Sequence, residues 1–206
     1  MSREDWYRNR KWNDSISKAF FTKLNRARAQ KMQYLVIQSG YLLHKHPSVS
    51  LKLIKQYFEQ RHDKFFDNNA FENQAKALLQ LEDIENAIIS YRNVLEREEA
   101  FPNSKTNSSV EYPYFVATNN IKSEYQNVLS VLNNKDESIL IWPVNKFQWY
   151  AALAIINNDD YSAKQAIDIA KTNKSSFRYH QKLGLVGREH NKTIKKLINL
   201  VKLKSK

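Results

Sequence analysis

Three observations predict an all-α fold built from helix pairs. The 206 residues contain three glycines, Gly40, Gly184 and Gly187, against roughly 14 at average usage. Apolar residues recur at intervals of three and four along nearly the whole chain, and no strand pair is legible. Small residues on successive helices stand twelve apart twice, at Ala75 and Ala87 and again at Ala151 and Ala163. Three glycines cannot supply a G-x-G-x-x-G dinucleotide turn or a G-x-x-x-x-G-K-[ST] phosphate loop. They also fall short of the positive-φ turns an all-β sandwich needs.

The elements follow in order. Ile16, Ala19, Phe20, Leu24 and Ala27 share one helical face, after a cap at Asn13 or Asp14. Met32, Leu35, Val36, Ser39, Leu42 and Leu43 form a second helix that breaks near His46-Pro47. Pro47 suits a first turn, and Val49, Leu53, Ile54, Tyr57 and Phe58 mark the third. The fourth runs from about Asp67 to Leu81 and the fifth carries Ile84, Ala87, Ile88, Tyr91, Val94 and Leu95. Residues 102–112 are polar and without period, which predicts the main internal loop. A sixth helix is expected from Pro113 through Ala117, Ile121, Tyr125, Val128 and Leu132. Ile139–Trp142 reads as a buried connector, followed by helices over 143–157 and 159–172. A basic loop over 173–188 and an amphipathic helix with Ile194, Leu197, Ile198 and Val201 complete about nine helices.

The net charge of +12 is terminal. Residues 1–36 carry nine Lys/Arg and three Asp/Glu, and residues 171–206 carry eleven and one, whereas 37–170 hold thirteen and seventeen. Such asymmetry marks either a nucleic-acid or acidic-partner surface or a solvated exterior. The absence of cysteine excludes disulfides, thiolate metal sites and cysteine nucleophiles. With no apolar leader and no apolar run of about 20 residues, the expected location is cytoplasmic, without membrane contact.

The segment Leu78-Leu79-Gln80-Leu81-Glu82-Asp83-Ile84-Glu85-Asn86-Ala87-Ile88-Ile89-Ser90-Tyr91 joins two helices by a short turn, with Ala75 before it. The pattern recurs as Phe147, Ala151, Asp160-Tyr161-Ser162-Ala163, Ile167 and Ala170. This resembles the tetratricopeptide repeat, whose helices approach closely through small residues. The implied fold is a tetratricopeptide-like α-solenoid of degenerate repeats of about 37–38 residues, longer than the roughly 34 of standard units. Ala163 lies two such periods beyond Ala87, and Ser50 lies one period before it, with Ile54 and Tyr57 following. A single domain is expected: a basic cap over 1–29, repeats over 30–172, and a basic loop and capping helix over 173–206. The middle copy is expected to have lost its first helix to the 102–112 loop, and Glu82 stands where the family has glycine. The whole chain, including Phe177–Val186, also looks like uncharacterised bacterial proteins of similar length, a likeness that implies no activity.

In such folds the first helix of each pair lines a concave groove. The resemblance therefore implies groove residues Asn69, Glu72, Lys76 and Gln80, with Asn145 and Gln148 from the later copy, unless these form an ordinary solvated face. The family's Lys/Asn carboxylate clamp is not matched, because Glu72 and Lys76 stand at those places. The five histidines have no metal-ligand spacing, and no G-x-S-x-G elbow supports acyl transfer. No catalysis, cofactor or metal is therefore expected. Arg178, Tyr179, His180, Lys182 and Arg188 form a basic, aromatic loop cluster suited to phosphate or base contacts. The alternative is a loop that packs Phe177, Leu183, Leu185 and Val186 inward. Trp6 and Trp12, among Arg3, Arg8, Arg10 and Lys11, either cap the first helix or belong to a nucleic-acid arm. The expected function is a scaffold binding a protein or peptide in its groove. Nucleic-acid association through the basic termini is the alternative. The last helix caps its own chain or a neighbour's, which leaves a homo-oligomer open.

Overall fold

A computed structural model of the chain describes residues 5–134 and 138–204. Among them are ten α-helices and no strand: α1 Asp14–Leu24, α2 Lys31–Leu42, α3 Pro47–Gln60, α4 Asp67–Gln80, α5 Ile84–Ala100, α6 Ser108–Thr118, α7 Tyr125–Asn133, α8 Pro143–Asn157, α9 Asp160–Ala170 and α10 Asn191–Lys204. Neighbouring helices pack as pairs, α2 with α3, α4 with α5, α6 with α7 and α8 with α9. The chain divides into two compact units, Met1–Thr106 and Asn107–Lys206.

Three of the four pair-forming turns are built alike. Glu82, Asn120 and Asn158 take φ of 62°, 54° and 51°, the left-handed region, and they follow one another at equal intervals, one repeat period each. In each turn the following amide reaches back to a carbonyl of the first helix: Asp83 N to Leu78 O, Ile121 N to Val116 O and Asp159 N to Ala154 O, all 3.0 Å. This is the Schellman closure, which satisfies carbonyls a helix end leaves free. Glu82 thus adopts the conformation that glycine takes without strain. Asp83 and Asp159 then cap α5 and α9, the latter accepting from the amides of Tyr161 and Ser162. The α2–α3 turn closes differently, with His46 N bonding Leu42 O at 2.8 Å and Pro47 opening α3.

Small residues bring the paired helices close. Ala75, Ala87, Ala151 and Ala163 are all fully buried, and Ser50, Ile54 and Tyr57 repeat the burial of Ala87, Tyr91 and Val94. Interiors are packed as densely as crystals, so a methyl-sized crossing leaves no room for a larger group.

The middle of the chain departs from expectation. A helix, α6, occupies Ser108–Thr118, where residues 102–112 read as loop. It starts in polar Ser108-Ser109, and its buried face begins with Ser108, Val110 and Tyr112, so an apolar period is visible only downstream. Pro113 lies inside this helix and is buried there, at the cost of one backbone bond. The helix then ends at Thr118 and turns through Asn120, so the single helix expected over 113–132 is two, α6 and α7. The middle pair keeps both its helices. The connector is also half right: Ile139 and Leu140 are buried, but Ile141 is exposed.

In the first unit the core joins Phe20, Leu24, Leu35, Val36, Leu42, Leu53, Ile54, Tyr57 and Ala70, with Trp6 and Trp12 packed against it. Trp6 meets Phe20 and Tyr34, and Trp12 meets Phe20 and Phe21, so both rings pack into the first unit's core; Arg3, grouped with them in the sequence, lies outside the described residues. The buried Tyr57 hydroxyl donates to Asp67 at 2.8 Å, and Arg61 lies 3.3 Å from the same carboxylate, which fixes the start of α4 against α3. Burial, then the Asp67 bond, pushes the Tyr57 phenol well above its usual range.

In the second unit one cluster centres on Val110, Ala117, Leu132, Trp149 and Ala152, and another on Phe147, Ala151, Ala154, Ala163, Ala166 and Leu197. Leu197 belongs to α10, which packs on α9 and α8, so the last helix covers its own chain. The Tyr114 hydroxyl pins it further, 2.8 Å from His190 Nδ1 and 2.9 Å from Thr193 Oγ1.

Candidate functional site

The first helices of the first two pairs, α2 and α4, line one cleft of about 700 Å³. From α2 come Gln33, Val36, Ile37, Gly40 and Tyr41, spaced by three and four and therefore on one face, with His44 from the turn that follows. Asn69 and Asn73 of α4 face them, with Phe66 at the helix start. The seam beneath is polar and closed. Asn73 Nδ2 donates to Val36 O and to Ser39 Oγ, both at 3.0 Å. A Cβ on Gly40 would lie 3.3 Å from that same nitrogen, so glycine permits the close approach of α2 to α4.

Arg10 completes the rim, and its position follows from a buried amide pair. Gln38, fully buried on α2, accepts from Asn9 N at 3.0 Å and donates to Asn9 O at 2.8 Å. This matches the two peptide groups of an extended strand and holds the segment before α1 in place. Trp12 N donates to His46 Nε2 at 3.2 Å and secures the other side. The Arg10 guanidinium is thereby placed 5.8 Å from the centroid of the Tyr41 ring.

Arg10 and Lys45 give the cleft two cationic side chains beside the His44 imidazole, and among the described residues its lining includes no carboxylate. Gln33 and Asn69 add amides, each able to donate and accept. Ile37, Tyr41 and Phe66 add apolar surface. The arrangement is suited to holding an extended chain that bears carboxylates: amides for its backbone, cations for its charges, apolar contact for its side chains.

Of the six groove residues expected from sequence, Asn69 alone lines this cleft. Gln80 is exposed at the end of α4. Glu72 and Lys76 are half-buried and pair with each other at 3.4 Å. Gln148 is half-buried on α8. Asn145 departs from expectation: it is 4% exposed, and its Nδ2 donates to Asn107 Oδ1 at 3.0 Å and to Ile139 O at 2.9 Å. It is a structural brace, because the Ile139–Leu140 connector and the start of α6 cover it. The α2 side of the cleft escapes sequence reasoning because α2 lacks the alanine signature of the later copies. A legible signal is nonetheless present, since Asn69, Asn107 and Asn145 are spaced by the same repeat period as the turns.

Comparison with protein-family models, curated proteins and solved structures returns no match.

The basic loop is a separate feature, in the second unit. Arg178, Tyr179, His180 and Lys182 come together around a shallow depression with Asn173, Lys174, Gln181 and Leu183. Arg188 lies outside it, in the short 3-10 turn Arg188–His190. Val186 packs inward as expected, but Leu183 is 53% exposed. Gly184 has φ of 70°, and a Cβ there would meet the Trp142 ring at 2.5 Å, so the loop closes on α8 only with glycine. Among the described residues no cluster of three or more His, Asp or Glu is placed to hold a metal ion, and no helix is long and apolar enough to cross a membrane.

Proposed function

We propose that this chain is a non-catalytic, tetratricopeptide-like helical-repeat module that takes an extended, carboxylate-bearing segment of a partner protein into the α2/α4 cleft. The repeat reading is supported by the turns at Glu82, Asn120 and Asn158 and by Asn69, Asn107 and Asn145, two series with one and the same interval. The observation that carries the binding reading is the cleft itself. It is lined by the first helices of two successive pairs, with exposed Arg10, His44 and Lys45 opposite Asn69. Charged groups in a recess bind carboxylates through charge-assisted hydrogen bonds, and amide side chains on a rigid helix satisfy an extended backbone.

Selection of random twelve-residue peptides displayed on phage tests this. Carboxylate-rich sequences are expected, with binding weakened about tenfold or more by Arg10→Ala with Lys45→Ala, the loss that charge-assisted hydrogen bonds imply. Absence of enrichment, or enrichment indifferent to Ile37→Arg in the cleft wall, overturns the reading.

A further inference from the structure

The loop over residues 173–183 is ordered yet gives up burial. Its backbone is tied across by Ser175 N to Gln181 O at 2.7 Å, His180 N to Phe177 O at 3.1 Å and Leu183 N to His180 O at 2.9 Å. Ser175 Oγ adds a bond to His180 O at 3.1 Å. At its base the Phe177 ring stacks on Trp142, with centroids 4.3 Å apart and planes 15° apart, and Val144 N donates to Gly184 O at 2.8 Å. Ordering a segment costs conformational entropy that burial normally offsets. Here the tip from Arg178 to Leu183 is exposed throughout, and Tyr179 is 84% exposed.

The charged groups of this loop are of one sign. Between Asp168 and Glu189 there is no carboxylate, while Lys171, Lys174, Arg178, Lys182 and Arg188 lie in that interval. Lys171 is engaged by Asp168 at 2.8 Å; Lys174, Arg178 and Lys182 have no carboxylate partner among the described residues. The Arg178 guanidinium sits 5.6 Å from the Tyr179 ring centroid. Asn173 and Gln181 bring amides to the same depression, of about 650 Å³.

We infer that this loop is a contact surface for single-stranded nucleic acid. It holds Tyr179 as a platform for an unstacked base and Lys174, Arg178 and Lys182 as phosphate contacts. Aromatic stacking beside a basic groove is the way strands are held without sequence preference. A paired duplex offers no free base face to the ring. A lipid surface would call for an apolar tip, whereas the tip here reads Arg-Tyr-His-Gln-Lys-Leu, with Leu183 its one aliphatic side chain. The inference is independent of the α2/α4 cleft.

The test is fluorescence anisotropy of 5′-labelled twelve-residue oligouridylate and oligothymidylate with the full chain. Three phosphate contacts predict that affinity falls roughly 20-fold between 50 and 200 mM salt, from a slope of about 0.7 per contact. Arg178→Ala with Lys182→Ala flattens that slope by about 1.4. Tyr179→Ala weakens binding by about 5- to 160-fold at every salt concentration, and Tyr179→Phe restores it. The exposed pair Lys52→Ala with Lys55→Ala removes equal charge from α3 and leaves binding unchanged. Absence of binding at 50 mM salt overturns the inference. So does a loss equal for the α3 pair and the loop pair with Tyr179→Ala silent, which would mean unspecific attraction. Binding to vesicles of phosphatidylcholine and phosphatidylserine mixed seven to three, with both oligonucleotides inert, also overturns it.

Discussion

Asn69 and Asn145 hold the same place in two helix pairs, two repeat periods apart, and they have opposite fates. The pairs themselves match closely: Ala75 and Ala151, Ala87 and Ala163, Glu82 and Asn158 correspond in sequence interval, burial or backbone conformation. Yet Asn69 faces an open cleft, while Asn145 is sealed between Asn107 and Ile139. The difference lies in the neighbours. Beside α4, the small Ser39 and Gly40 of α2 let Asn73 form a thin polar seam and leave space above it. The position on α8 that matches Asn73 is Trp149, 3% exposed and packed in the second unit's core with Ile139 and Leu140. The face is therefore open on α4, where Asn73 meets small residues of α2, and closed on α8, where Trp149 stands in the place of Asn73.

The widest separation is expected at Phe71 and Phe147, which also correspond. Phe147 is fully buried, and Phe147→Ala is expected to cost about 3–5 kcal/mol in urea unfolding. Phe71 is half-buried against Phe58, so Phe71→Ala should cost half of that or less. Equal costs would mean the α4 face is closed like that of α8.

A smaller contrast is expected at the asparagines. Asn145→Ala removes a buried donor from two acceptors and should cost about 1–3 kcal/mol. Asn69→Ala, at an exposed position, should stay within about 0.5 kcal/mol in unfolding and weaken peptide capture instead.

The third contrast is one of direction with pH. His190 is buried against Tyr114 and Phe147, and burial lowers its pKa despite Glu189 at 3.7 Å. The folded state therefore resists its protonation. The stability this confers on the second unit is fully present above the unfolded value, about 6.5, and is lost as pH falls below it. Glu98 in the first unit behaves oppositely. Burial raises its pKa, although Thr106 donates to it from both backbone and hydroxyl, so acid relieves the buried charge. As pH falls from 7.5 to 5.5, hydrogen-exchange protection, referred to the intrinsic rate at each pH, should be lost in α10 and α6 before α5, and His190→Gln should remove the effect. Loss of protection starting in α5 would contradict this.

Much of the architecture is legible in the chain itself. Caps and prolines mark the helix starts at Asn13, Pro47, Asp83 and Pro143, and α8 runs over the span expected for it. The repeat period is readable from Ala87 and Ala163, because close helix crossings demand small residues. The start of α6 is hidden because its first turn is polar and its proline sits inside the helix. The cleft is hidden for another reason. Periodicity identifies which residues share a face, but the cover over that face comes from residues distant in sequence. Asn9 and Gln38 place Arg10, and Ile139 closes Asn145. Tyr179 lies in a loop already singled out by its charge, but its exposure on an ordered backbone is a tertiary fact.

If the face that is closed on α8 takes a peptide on α4, a titration of the nitrogen-15-labelled chain with the tightest selected peptide will show it in the side-chain amide signals. The signals of Gln33 and Asn69 should shift in proportion to occupancy, while that of Asn145 stays fixed. Movement of Asn145 with Gln33 and Asn69 unmoved would contradict the account.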